Sequence, residues 1–173
     1  MKTKKIVLGG LMIALGVLLP QAFHIFGPKV SQILSPMHIP VFIGGLLLGP
    51  IYGAIIGVCT PFLSSLITGM PPFPMNFFMA FELMAYGLFS GLFAKLLHNV
   101  KGKLYISLGL SMIIGRVVYA IVIYVASTFF HATGINPFSI FVKLTTFLGL
   151  LAIIIQFVFV PPIVMVLRKI ENN

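Results

Sequence analysis

Acidic side chains are almost missing from this sequence: Glu82 and Glu171 are the two carboxylates in 173 residues. With one of them inside the chain and the other near its end, no paired carboxylates are in view for acid–base or glycosidic chemistry. The lone cysteine, Cys59, sits within an apolar run, which leaves no disulfide framework and no CxxC pair for metal or redox work. No GxxxxGK[ST] loop occurs to cradle the phosphates of ATP, and no HExxH or GxSxG marks a hydrolase. His38, in SPMHIP, and His131, in FHATG, have no second ligand at helical spacing, so no metal site is expected. Nothing in the sequence asks for a cofactor. Charge of either sign is scarce too, 8% of residues against 60% hydrophobic, with a mean hydropathy of +1.17. A soluble fold of this length could not hide that much apolar surface, so the expected class is an all-α integral membrane protein.

What the sequence does contain is a series of apolar runs. A hydrocarbon core about 30 Å thick needs about 20 helical residues, fewer where protein shields the helix. Segments at 6–19, 38–48, 51–68, 75–97, 104–130 and 138–167 meet this, separated by GPKVSQILSP, Gly49-Pro50, TGMPPFP, HNVKGK and HATGINP. The expectation is one transmembrane domain, 1–173, of six helices. The start, MKTKK followed by IVLGGLMIALGVLLP, imitates a signal peptide, but PQAF lacks the small residues that cleavage needs, so a retained first helix is expected.

The eleven Lys and Arg settle the count of helices. With six helices, MKTKK, the cluster Lys95, Lys101 and Lys103, and Arg168 with Lys169 fall on one side of the membrane; with five, the middle cluster would be translocated, against the positive-inside tendency. Gly as a terminator followed by Pro at a first helical position also suits a turn at Gly49-Pro50. Both termini are then expected in the cytoplasm, and the formal charge of +9 reports topology rather than nucleic-acid binding.

Three charges remain inside apolar segments or near their ends. Glu82 should lie roughly 10 Å below the outer end of the fourth helix, Lys143 roughly 8 Å below that of the sixth, and Arg116 deeper, roughly 20 Å from the outside. Each should face the bundle interior or water, since exposure to lipid costs a few kcal/mol, and Lys143, near its helix end, can instead snorkel to the interface. Glu82 is expected to pair with Arg116 or Lys143, leaving one cation for a carboxylate or phosphate on a ligand. Tyr86 follows Glu82 by four and Tyr119 follows Arg116 by three, so each shares its neighbour's face. Asn76 opens the fourth helix, either as a cap or as a ligand contact. Thr146 follows Lys143 by three and bonds either its own backbone or the same cavity. Small residues at spacing four, Gly45, Gly49, Gly53 and Gly57, suit close packing within the chain, and Gly10 with Ala14 suits either internal packing or a partner. TGMPPFP and GPKVSQILSPM are apolar enough to serve as a lid over a cavity or, equally, to contact interfacial lipid. No inverted repeat joins the two halves, which argues against a self-contained secondary transporter.

With these features, the stretch PMHIPVFIGGLLLGPIYGAIIG with its tight GP turn, the LITGMPP loop and FELMAYGLFSGL, the chain resembles the substrate-binding S subunits of energy-coupling factor (ECF) transporters. The resemblance covers almost the whole chain. It implies a vitamin-capturing bundle that docks on a membrane coupling (T) subunit driven by two cytoplasmic ATPases, and that topples to release cargo. Members carry an AxxxA-type signature on the first helix for the coupling subunit; Gly10 and Ala14 stand in its place here, with Gly for the first Ala. Family pockets, built from helices 4 to 6 and the loops after helices 1 and 3, map onto Asn76, Glu82, Tyr86, Arg116, Tyr119 and Lys143. The expected cargo is a small anionic vitamin or precursor, pantothenate first, then a vitamin B6 form, cobalamin or a queuosine precursor. The alternatives are a stand-alone channel or an accessory subunit of another membrane complex, with an intramembrane enzyme last.

Overall fold

A computed structural model describes residues 2–25, 27, 36–130 and 147–172. Among these it contains six helices and no strand: α1 (Lys2–His24), α2 (His38–Leu48), α3 (Pro50–Thr68), α4 (Met75–Leu96), α5 (Lys103–Phe130) and α6 (Phe147–Asn172). The first helix runs past both ends of the expected 6–19 segment and continues through Pro20. The sixth reaches Asn172; residues 138–146 lie outside the described chain.

All but α2 are long and apolar enough to cross a membrane. At 1.5 Å per residue, the eleven residues of α2 cover about 16 Å, half of a hydrocarbon core, so this segment does not span by itself as the other five do. It is instead the central helix. Nine of its residues are buried, and Pro36 and Met37 ahead of it are buried as well. A polypeptide that starts a helix at mid-depth has unpaired N–H groups there, tolerable only inside protein. The surrounding helices supply that shelter.

Gly49 and Pro50 end α2 and start α3. Gly49 has φ 101°, a region open to glycine, its N–H donates to the Gly45 carbonyl, and Pro50 occupies the first turn of α3, where its missing N–H costs nothing. The α2/α3 hairpin then lies on α4 at backbone contact. A methyl group at Gly53 would overlap the Gly87 carbonyl, and one at Gly57 the Leu83 carbonyl; across the interface, one at Gly91 would stand 2.6 Å from the Gly45 oxygen and from the Pro50 nitrogen. Lipid tails offer helices no hydrophobic reason to associate, so this close approach and the dispersion it gives hold the three together. Val41, Phe42, Leu83, Leu108, Val160 and Val164, from α2, α4, α5 and α6, form the innermost layer.

The polar contacts of α2's last turn fix the ends of the bundle. Lys5 Nζ, on α1, donates to the Leu48 carbonyl at 3.4 Å, and Arg168, on α6, to the Leu46 carbonyl at 2.7 Å. Both cations meet carbonyls at the negative end of a helix dipole. The N-terminal end of α1, the Gly49-Pro50 turn and the C-terminal end of α6 are thus at one end of the molecule. The 97–102 turn joins them, because Lys103 and Arg168 line one cleft. That basic end gathers the charged clusters, and the opposite end holds the 69–74 turn. Large apolar side chains cover the flanks, Ile55, Ile113, Val117, Ile121, Ile154 and Val158 among them, each more than half exposed, as a lipid-facing surface requires.

Candidate functional site

Glu82 and Arg116 meet between α4 and α5. Glu82 lies fourteen residues, about 21 Å, from the Leu96 end of its helix, and Arg116 thirteen residues, about 20 Å, from the Lys103 end. Measured from the basic end, the two are level. The greater depth expected for Arg116 came from counting inward from the outer ends, where α5 runs about 10 Å beyond α4. Arg116 Nη1 approaches Glu82 Oε1 at 3.4 Å, with the Glu82 side chain 4% and the Arg116 side chain 30% exposed.

The same oxygen accepts a 2.7 Å hydrogen bond from the Tyr86 hydroxyl, one helical turn along α4. The Tyr86 ring is clamped from two sides. On α5, Gly115 leaves the space that the ring fills, since a side chain there would overlap it. On α2, the His38 and Phe42 rings pack against it at a tilt, with centroids 5.4 and 4.9 Å away. Glu82 is therefore held by a closely packed phenol, and Arg116 by an ionic contact at the long end of the hydrogen-bond range. A guanidinium carries five N–H donors in a planar fork, more than one carboxylate oxygen can take up. A buried acid with a partly exposed Arg beside it can receive a carboxylate or phosphate without leaving the acid unpaired.

Tyr119 lies one turn above Arg116, 4% exposed, in a small cluster with Phe78 and Ile123; its hydroxyl donates to Met75 Sδ at 3.6 Å. Asn76 is turned to α3, where Nδ2 donates to Ser65 Oγ at 3.3 Å, so it ties the α3/α4 connection together and does not reach Glu82. Lys143 lies outside the described residues, as do His131 and Thr146. The turn at 69–74 is tied to α3 by Ser64 Oγ donating to the Met70 carbonyl at 2.7 Å, and Phe73 packs on Phe77. Phe77 is five residues before Glu82, roughly 140° round the helix, so this ring covers the α3/α4 flank.

Two inward residues had no part in the expected site. His38 reaches it through Tyr86, which local spacing could not reveal because the two are on different helices. Gln156, on α6, is 4% exposed. The signal was there: one amide in AIIIQFVFV, where a polar group in an apolar helix ordinarily turns inward.

Gly10 and Ala14 are exposed, and a methyl group at Gly10 would meet nothing within 4 Å. They share an outward stripe of α1 with Val7, Leu11 and Leu18 while Met12, Gly16 and Val17 face the core.

Comparison with curated proteins and with solved structures returns no match. The family described as ECF transporter, substrate-specific component, matches residues 4–164, nearly the whole chain. The six-helix membrane bundle and this match agree, and the chain belongs to the substrate-specific components of ECF transporters, multi-pass transport subunits of the cell membrane.

Proposed function

We propose that this subunit captures a small, water-soluble, anionic vitamin or vitamin precursor between α4, α5 and α6, with pantothenate the first choice, followed by a vitamin B6 form, cobalamin or a queuosine precursor. The observation that carries the reading is the Glu82–Arg116 contact: one acid, already engaged by Tyr86, beside a guanidinium that is 30% exposed. Arg116 would take the ligand's carboxylate or phosphate, with Lys143 as the second cation, and Tyr86 and Tyr119 would line the same cavity. Asn76, bonded to Ser65, would shape the mouth of the site rather than its floor. Gln156, buried on α6, would offer its amide to a hydroxyl or amide of the same ligand.

The basic end faces the cytoplasm in this reading, by the positive-inside tendency. The exposed Gly10/Ala14 stripe docks on the membrane coupling subunit, because small residues let a partner helix approach closely. ATP is hydrolysed by two partner ATPases. With the family known, no observation favours the stand-alone channel or the accessory subunit.

Equilibrium binding of carboxylate, phosphate and neutral vitamins to the purified protein tests the reading. An anionic vitamin should bind, and Arg116→Ala should weaken it by about a hundredfold, the loss of one charge-assisted contact of ~3 kcal/mol. Lys169→Ala should change it less than twofold. Binding of neutral vitamins alone, or equal effects of the two substitutions, would remove the basis for this site.

A further inference from the structure

At the basic end an open cleft of about 350 Å³ lies between the start of α5 and the end of α6. Its walls are Val100, Leu104, Tyr105 and Met165, and its cations are Lys103 and Arg168. The cavity follows from how the two helices meet. Phe157 stacks on Tyr105 at 6.4 Å between centroids and lies against Gly109, and the cleft runs from Tyr105 to the 100–103 turn. Arg168 spends one N–H on the Leu46 carbonyl, and Lys103 one on the His98 carbonyl at 3.2 Å, so both retain further donors.

We infer that this cleft holds the headgroup of an anionic phospholipid, its phosphate between Lys103 and Arg168 and its acyl chains descending along Tyr105 and Met165. Three observations select this occupant. The charge is one-sided: Lys101, Lys103, Arg168 and Lys169 surround the cleft in sequence, against Glu171 alone. The walls are apolar, which a free phosphate or a soluble acidic peptide does not need. They also run out onto the lipid-facing flank, where Tyr105 is 43%, Ile106 42% and Met165 49% exposed. Basic clefts between helices at the cytoplasmic boundary of a membrane protein are where anionic headgroups bind. The inference rests on the bundle spanning a membrane and stands apart from the vitamin site.

Lipid retention decides it. The full-length protein is purified in neutral detergent, exchanged into micelles containing equal phosphatidylglycerol and phosphatidylcholine, and the lipids carried through are counted by native mass spectrometry. The expected result is preferential retention of phosphatidylglycerol, reduced about fivefold by Lys103→Gln and further by Lys103→Gln with Arg168→Gln. Because Arg168 also ties α6 to α2, the single Lys103 substitution, whose partner is an exposed carbonyl, keeps the test independent of folding. Lys5→Gln, at the same end but outside the cleft, should leave retention unchanged. Equal retention of the two lipids, undiminished phosphatidylglycerol in the Lys103 variant, an equal loss with Lys5→Gln, or displacement by millimolar inorganic phosphate would each overturn the proposal.

Discussion

At Glu82 the energetic stakes are asymmetric. Removing the acid leaves a guanidinium and a phenol facing each other in a nearly dry interface, and breaking a fully buried pair costs about 3–5 kcal/mol. Arg116 keeps some contact with its surroundings, being 30% exposed, so about 2 kcal/mol is a fair expectation for Glu82→Ala. Glu82→Gln retains an acceptor for Tyr86 and should lose about half of that. Thermal unfolding in detergent measures both, and an unchanged midpoint for Glu82→Ala would mean that the pair contributes nothing to the fold. The relation of Glu82 to Tyr86 was legible in the sequence because both are on one helix at spacing four. Which cation pairs with Glu82 was not, since that depends on how far α5 overshoots α4, a register between helices that no local pattern encodes. His38 stayed hidden for the same reason.

At the level of elements, the α2/α3 hairpin and α4 behave as one unit built on glycine. Gly45, Gly53 and Gly57 were readable as a small-residue series, and the turn at Gly49-Pro50 followed from glycine's freedom at positive φ and proline's fitness for a first turn. Their counterpart on α4, Gly87 and Gly91, has the same spacing of four and lies in the FELMAYGLFSGL stretch. Only the contact itself shows that the two series face each other. Gly53→Leu, which would drive a side chain into the Gly87 carbonyl, should destabilise the bundle by about 3 kcal/mol, the upper range for overpacking, seen as lost expression or early aggregation on size exclusion. Gly10→Leu tests the opposite face. It should leave ligand binding intact while abolishing co-purification with the coupling subunit and its ATPases, and intact co-purification would place the docking surface elsewhere. The short length of α2 was legible, since the apolar segment 38–48 is the helix observed; its place at the centre of the bundle was not, because that depends on burial by neighbouring helices.

Across the whole molecule, charge and hydropathy act at different ends. The basic clusters collect where α1 starts, where α4 passes into α5 and where α6 finishes, and the even number of helices needed to place them together matches the six among the described residues. Glu82 and Arg116 sit toward the other end, at one level, on α4 and α5. Topology was legible because eight of the eleven basic residues vote the same way. Substrate identity was not, because one guanidinium accepts any carboxylate or phosphate of suitable size, and the sequence carries the charge without the shape of the cavity. The small molecule released from the purified protein, identified by mass spectrometry for the wild type and Arg116→Ala side by side, is therefore the most direct measurement. The expected result is one vitamin or precursor bearing a carboxylate or phosphate, near one per chain, and absent from Arg116→Ala. A neutral compound, or an anion retained undiminished without Arg116, would contradict the assignment of the site.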